Sequence, residues 1–217
     1  MLSTADQDYI KAIYSLQEKD DTVSTSHLAR FLGVTPASVS GMLKKLHQAR
    51  LVRYNRYQGA SLTRQGRNEA LKVLRRHRLL ELFLVKVLGF PWELVHQEAE
   101  RLEHVISDEF EQRLDKLLGY PTVDPQGAPI PTENGQIDDT QGIALSQIEE
   151  GASGRVTEVQ DGDPALLKHL AGIGLVPGAR VKVIERVSFD DSLVLKIGRS
   201  KQSVSNKVAS AVLVMQS

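Results

Sequence analysis

The chain contains no cysteine, so disulfide frameworks, thiolate zinc sites, iron-sulfur clusters and cysteine nucleophiles are excluded, and any metal must be held by nitrogen and oxygen donors. No apolar run approaches the roughly 20 residues that span a bilayer, and the first residues lack a basic segment followed by an apolar one, which points to the cytoplasm and away from membranes. Net charge is also missing, since 27 Lys and Arg balance 27 Asp and Glu. The balance conceals a division. Residues 1–78 carry 14 basic against 6 acidic side chains (+8), residues 79–139 carry 4 against 13 (−9), and the remainder 9 against 8 (+1). A basic first third suits a polyanion such as nucleic acid, and an acidic middle third suits a cation site or a solvated helical surface. At 217 residues, 41% hydrophobic and 25% charged, the chain is long enough for two or three compact units of ordinary globular composition.

Pro121, Pro125, Pro129 and Pro131 fall among Gly, Asp and Thr between Gly119 and Gly142, a stretch that resists helix and central strand and reads as a linker. Before it the patterning is mainly helical. After it, β-rich runs at 155–159, 179–187 and 193–197 are punctuated by glycines. In the first part, Thr4 and Gln7 have capping-box spacing ahead of Ile10, Ile13 and Tyr14. Ser24 can cap a short helix ending at Gly33, and Thr35 with Pro36 can open another that turns Val39, Met42, Leu43 and Leu46 inward and Ser38, Ser40, Lys44 and Lys45 outward. That is helix-turn-helix patterning. Residues 51–56 and 60–62, joined through Tyr57-Gln58-Gly59, can form a wing. Thr63 then caps a helix to about Leu88, and after Gly89 and Pro91 a further helix runs from about Trp92 to Leu118. Both are too apolar to stand alone.

Two constellations carry chemistry. Affinity for nucleic acid comes chiefly from phosphate neutralisation and sequence reading from an element in the major groove. Thr35, Pro36, Ala37, Ser38 and Ser40 at the start of the second helix permit close approach, and Lys44, Lys45, Arg53, Arg56 and Tyr57 surround it. Separately, His77 and Glu81 lie one helical turn apart, and His96, Glu100, Glu103 and His104, at i, i+4, i+7 and i+8 on the following helix, share a face. Carboxylate and imidazole without thiolate suit manganese or ferrous iron, with zinc, cobalt and nickel as substitutes. A Glu93-x-x-His96 pair keeps open a di-metal metalloenzyme, but no second copy, nucleophile elbow or phosphate-binding glycine loop supports catalysis.

Asp8-Tyr9-Ile10, the helix-turn-helix through Val39-Ser40, Leu62-Thr63 with Gly66-Arg67, Arg76-His77-Arg78-Leu79, and Val95 to Glu100 followed by Glu103-His104-Val105 and Ser107-Asp108 resemble the diphtheria toxin repressor and manganese transport regulator family. Gly127 and Pro129-Ile130-Pro131 resemble the same family, and the last part resembles its SH3-like module, related to a small ferrous iron transport protein. The resemblance implies a mainly α fold with a small β domain: a winged helix-turn-helix at 1–72, a helical metal-binding and dimerisation domain at 73–140 and an SH3-like β-barrel at 141–217. It further implies a homodimeric repressor that binds double-stranded operator DNA when metal-loaded and controls metal uptake, with no small organic substrate. By position Asp8, Glu100, Glu103 and His104 match the family's regulatory site, and His77, Glu81 and His96 its second site. Carboxylates at Asp8 and Glu100, where the toxin-repressor branch has sulfur donors, favour manganese over iron. Lys11 stands where the manganese branch can offer another carboxylate. The acidic loop at Asp161-Gly162-Asp163 lies where the SH3-like module can lend a ligand.

Overall fold

The computed structural model describes residues 2–17, 21–138, 142–160 and 163–216. They pack as two units, one comprising Met1–Arg76, Glu103–Val105 and Pro131–Gln136, the other His77–Leu102, Ile106–Ile130 and Ile137–Ser217. No helix among the described residues is long and apolar enough to cross a membrane.

In the first unit, α1 (Thr4–Gln17), α2 (Thr25–Leu32) and α3 (Pro36–Gln48) precede a hairpin of β1 (Val52–Asn55) and β2 (Gly59–Leu62) and the start of α4 (Arg64–Lys86). The capping box sits one residue earlier than its sequence spacing suggests: Ser3 N–H donates to Asp6 Oδ2 and Asp6 N–H to Ser3 Oγ, which frees Gln7 for another role. Ser24 Oγ accepts from His27 N–H, Gly33 closes α2 at φ 66°, and Thr35 Oγ1 accepts from Ser38 N–H with Pro36 in the first turn of α3. These caps fix the turn between α2 and α3, and Ile10, Ile13, Leu28, Val39, Leu43 and Leu46 are buried. The hairpin pairs Val52 with Leu62 and Asn55 with Gly59, so the wing exists as read.

The second unit contains the rest of α4, then α5 (Val95–Leu102) and α6 (Asp108–Leu117). The single helix expected from Trp92 to Leu118 is therefore two. Ser107 Oγ accepts from Phe110 N–H, and Asp108, Glu109 and Glu111 crowd the first turn of α6, where the helix dipole favours negative charge. A strong N-terminal signal inside an apolar pattern restarts the helix and leaves Glu103 and His104 in the turn before it. Leu79, Leu80, Leu82, Leu84, Val95, Ala99, Leu114 and Ile130 form the local core.

The proline-rich stretch is packed rather than a free linker. Ile130 is buried, Arg78 donates to the Pro129 carbonyl, and within the first unit Arg75 Nη1 donates to Pro131 O at 2.8 Å. Prolines leave carbonyls without ladder partners, and α4 supplies guanidinium donors for them. Beyond it come β3 (Ile143–Ala144), β4 (Ser153–Val159), α7 (Pro164–Ile173), β5 (Arg180–Arg186), β6 (Leu193–Ile197), β7 (Ser200–Val204), α8 (Asn206–Ser210) and β8 (Val212–Gln216), and the six strands form an antiparallel sheet ordered β3-β8-β4-β5-β6-β7. Its core runs from Leu145 through Val156, Val183 and Leu195 to Val214.

Candidate metal centres and nucleic-acid interface

In the first unit, Asp8 from α1 meets Glu103 and His104 from the turn after α5. His104 Nε2 lies 2.9 Å from Asp8 Oδ1 and 3.4 Å from Glu103 Oε1. Bonds of about 2.1 Å at octahedral or tetrahedral angles separate neighbouring donor atoms by about 3.0 to 3.4 Å, so these three fit one divalent ion. The opposite nitrogen, His104 Nδ1–H, donates to Gln7 Oε1 at 2.8 Å. An amide oxygen only accepts, so this bond fixes the proton on Nδ1 and turns the Nε2 lone pair toward the carboxylates, the support that metal-ligating histidines characteristically receive. Sequence reasoning missed Gln7, whose position in α1 looked like a cap. Glu103 is fully buried, and Lys11 Nζ holds its Oε1 at 2.5 Å. The ammonium thus neutralises the same oxygen that faces His104.

In the second unit, His77 from α4, Glu81 one turn later and His96 from α5 converge. His77 Nε2 lies 3.0 Å from both Glu81 Oε1 and His96 Nδ1, and His96 Nδ1 lies 3.3 Å from Glu81 Oε1. These separations again fit one ion. Glu100 is drawn to this set: its Oε1 is 3.8 Å from His77 Nδ1 and 3.6 Å from His96 Nε2. The resemblance assigned it to the Asp8 set. His96 and Glu100 stack one turn apart on α5, on one side of that helix. Burial opposes ionisation of Glu81, but the charge and hydrogen bonds of His77 and His96 outweigh it and hold the carboxyl at about 2.

A second carboxylate, Asp124, stands near this set and went unread. Its Oδ1 accepts from Gln126 and Ala128 N–H, and its Oδ2 lies 3.6 Å from Arg78 Nε. Burial and the charge of Glu81 push it up to about 7 against the pull of Arg78 and the two N–H donors. A folded value above the unfolded one, about 4, means that this group's stabilising contribution is complete below about pH 4 and lost as pH rises through 7. Asp124→Asn keeps the acceptor oxygen and removes the titration. Metal-free protein carrying it is expected to lose less stability than the parent between about pH 5 and about pH 8 in urea unfolding. Identical pH profiles for the two proteins would refute this.

Asp163 Oδ1 accepts from Ala165 N–H and caps α7, and it joins neither ligand set; Asp161 and Gly162 lie outside the described residues. Of the DNA-facing candidates, Thr35, Pro36, Ala37, Ser38, Lys44, Lys45, Arg53, Arg56 and Tyr57 are exposed and Ser40 is half-buried. Lys45 Nζ is tied to Asp6 Oδ1 at 2.6 Å, so part of its charge is already answered within the protein.

The chain matches the iron dependent repressor N-terminal DNA binding domain over residues 1–60, the iron dependent repressor metal binding and dimerisation domain over residues 63–132, and the FeoA domain over residues 143–216. It is 35% identical to the iron-dependent repressor of Mycobacterium bovis over 95% of this chain and 94% of that protein. The chain belongs to the iron-dependent repressor family. Another relative is the diphtheria toxin repressor of Corynebacterium jeikeium, 28% identical over 95% of this chain and 94% of that one. Among solved structures, a manganese-dependent transcriptional repressor in complex with manganese superposes with a TM-score of 0.90 at 38% identity, covering 98% of this chain and all of that one. The manganese regulator SloR does so at 0.78 and 33%, covering 98% of each. Family members are metal-dependent, DNA-binding transcriptional repressors and not enzymes, so the catalytic alternative falls and the chain is a divalent-metal-dependent repressor with DNA-binding and dimerisation domains.

Proposed function

We propose that this repressor senses manganese in the cytoplasm and, as a homodimer on operator DNA, restrains genes for metal uptake. The observation that carries the reading is the convergence of Asp8 and Glu103 on His104 Nε2. Two carboxylates and one imidazole without sulfur form a hard donor set that suits manganese, with ferrous iron next and zinc, cobalt or nickel as substitutes. Modules at 1–72, 73–140 and 141–217 take the DNA-reading, metal-binding and dimerising, and SH3-like roles.

Asp8, Glu103 and His104 would hold the ion, and His77, Glu81 and His96 would hold another. A bound cation supplies the charge that lets these ligands converge. The chain's own residues do the rest. Gln7 orients His104, and Asp8 links the site to α1, the helix packed on α2, α3 and the wing. Closing α1 onto the turn at Glu103 and His104 narrows the positions the winged helix samples. A preference of about 1.4 kcal/mol for the closed form shifts the population tenfold. In a dimer whose two recognition helices must reach grooves roughly 34 Å apart, that narrowing is read as affinity. Exposed Val87, Leu88, Phe90, Leu94, Phe110 and Leu117 offer apolar surface to a second copy. Thr35, Pro36, Ala37, Ser38 and Ser40 would read the groove, and Lys44, Lys45, Arg53, Arg56 and Tyr57 would meet the backbone.

Selection from a random duplex library in manganese tests the reading. The selected duplex should bind two chains with manganese and be released by a chelator. Equal binding in chelator would overturn the sensor mechanism.

A further inference from the structure

We infer that the outward face of the SH3-like sheet is a second binding surface for the DNA backbone, separate from the winged helix. The proposal rests on the DNA-binding character of the family and on how this chain distributes charge over β4 to β7.

Ladder register makes the face. Arg155 on β4 stands directly opposite Arg180 on β5, and Lys182 on β5 stands opposite Lys196 on β6, which stands opposite Lys201 on β7. Residues two apart on a strand share a face, so Arg180 and Lys182 place both rows on the same side. The alternate positions, Val181, Val183, Leu195 and Ile197, are buried in the core, which turns the cations outward, and all five are exposed. Ser153, Arg155, Arg180, Lys182 and Lys196 line an open groove of about 590 Å³.

Like charges directly opposite across strands destabilise a sheet, and soluble domains ordinarily alternate signs there. Here no acid intervenes. Residues 151–157 and 174–184 contain no Asp or Glu, and none follows Asp191. Among the described residues, Arg180, Lys182, Lys196 and Lys201 form no ion pair with a carboxylate, and Arg155 Nη1 donates to the Gly178 carbonyl. Edge protection explains Lys201, because β7 ends the sheet, but not Lys182 and Lys196 on interior strands. Rows of unanswered cations over a groove without acidic lining form an electrostatic site for a repeating anion. The polyanion this family engages is DNA, and backbone phosphates need no base-reading element.

The test compares full-length, manganese-loaded parent with Lys182→Gln/Lys196→Gln in binding to a long duplex of mixed sequence over a salt series. Each lost phosphate contact flattens the slope of log affinity against log salt by about 0.9, so the double variant should be flatter by about 1.8. Over a fourfold drop in salt the parent should then gain roughly tenfold more affinity than the variant. Lys182→Glu places an acid opposite Lys196. It should hold or raise thermal stability while weakening DNA binding, which separates lost contact from lost fold. Unchanged slopes with parental manganese binding would overturn the proposal. Unchanged slopes with altered sedimentation would also overturn it and assign the face to a second copy. A parent that binds no duplex would instead remove the DNA-binding reading on which the proposal stands.

Discussion

His104→Ala is expected to abolish metal-dependent DNA binding, lowering metal affinity at the Asp8 set by more than about 100-fold, while the winged helix remains folded. The imidazole nitrogen Nε2 lies 2.9 Å from Asp8 and 3.4 Å from Glu103, so its removal takes away the nitrogen donor of the set. The fold should tolerate the loss. Glu103 keeps its ion pair with Lys11, and the Asp8 side chain, 38% exposed, can be hydrated. Gln7→Leu provides the graded comparison. It leaves all three ligands in place but deletes the acceptor that fixes Nδ1–H, so affinity should fall by about 10- to 100-fold and the DNA response should move to higher metal concentration. Equilibrium dialysis with manganese, followed by duplex binding, reads both. Parental affinity in His104→Ala would sink the site assignment. A loss in Gln7→Leu as large as in His104→Ala would mean that Gln7 acts by more than orienting the ring.

Gly66→Ala should destabilise the protein by at least about 3 kcal/mol, a fall in Tm of about 6 to 12 °C for a chain of this size. Gly66 opens α4 beneath the wing, and a β-carbon there would strike the carbonyl oxygen of Leu51, which Thr63 N–H and Thr63 Oγ1 already engage. Backbone on both sides leaves no flexible side chain to yield. Gly41→Ala supplies the opposite sign. Nothing lies within 4 Å of its β-carbon position in α3, so helix propensity alone should add about 0.5 to 1 kcal/mol. Calorimetry of both variants decides the matter, and a Gly66→Ala protein as stable as the parent would show that the wing and α4 do not meet as described.

Much of the fold was legible because it is encoded locally. Ser24, Thr35, Gly33 and Pro36 specify the turn between α2 and α3 through caps that act within a few residues. The hairpin followed from alternation and a glycine. Errors arose where a local signal competed with a longer pattern. Apolar periodicity carried one helix through residue 106, whereas Ser107 and the acids behind it started another. Prolines suggested a free linker, but Arg75 and Arg78 capture their carbonyls.

Donor chemistry and the charge division are written in residue order alone: no thiolate, a basic first third, and histidines and carboxylates at helical spacing. Such properties depend on residue type and on distances of one or two turns. Which donors meet depends on how distant segments pack. Asp8 and His104 are joined across 96 positions of sequence, Lys11 reaches Glu103, and Gln7, one residue past the capping box, holds the ring. Glu100 lies 3.8 Å from His77 and 3.6 Å from His96. Packing brings distant segments together through buried apolar contacts that no short spacing encodes, and the ligand sets are made by that packing.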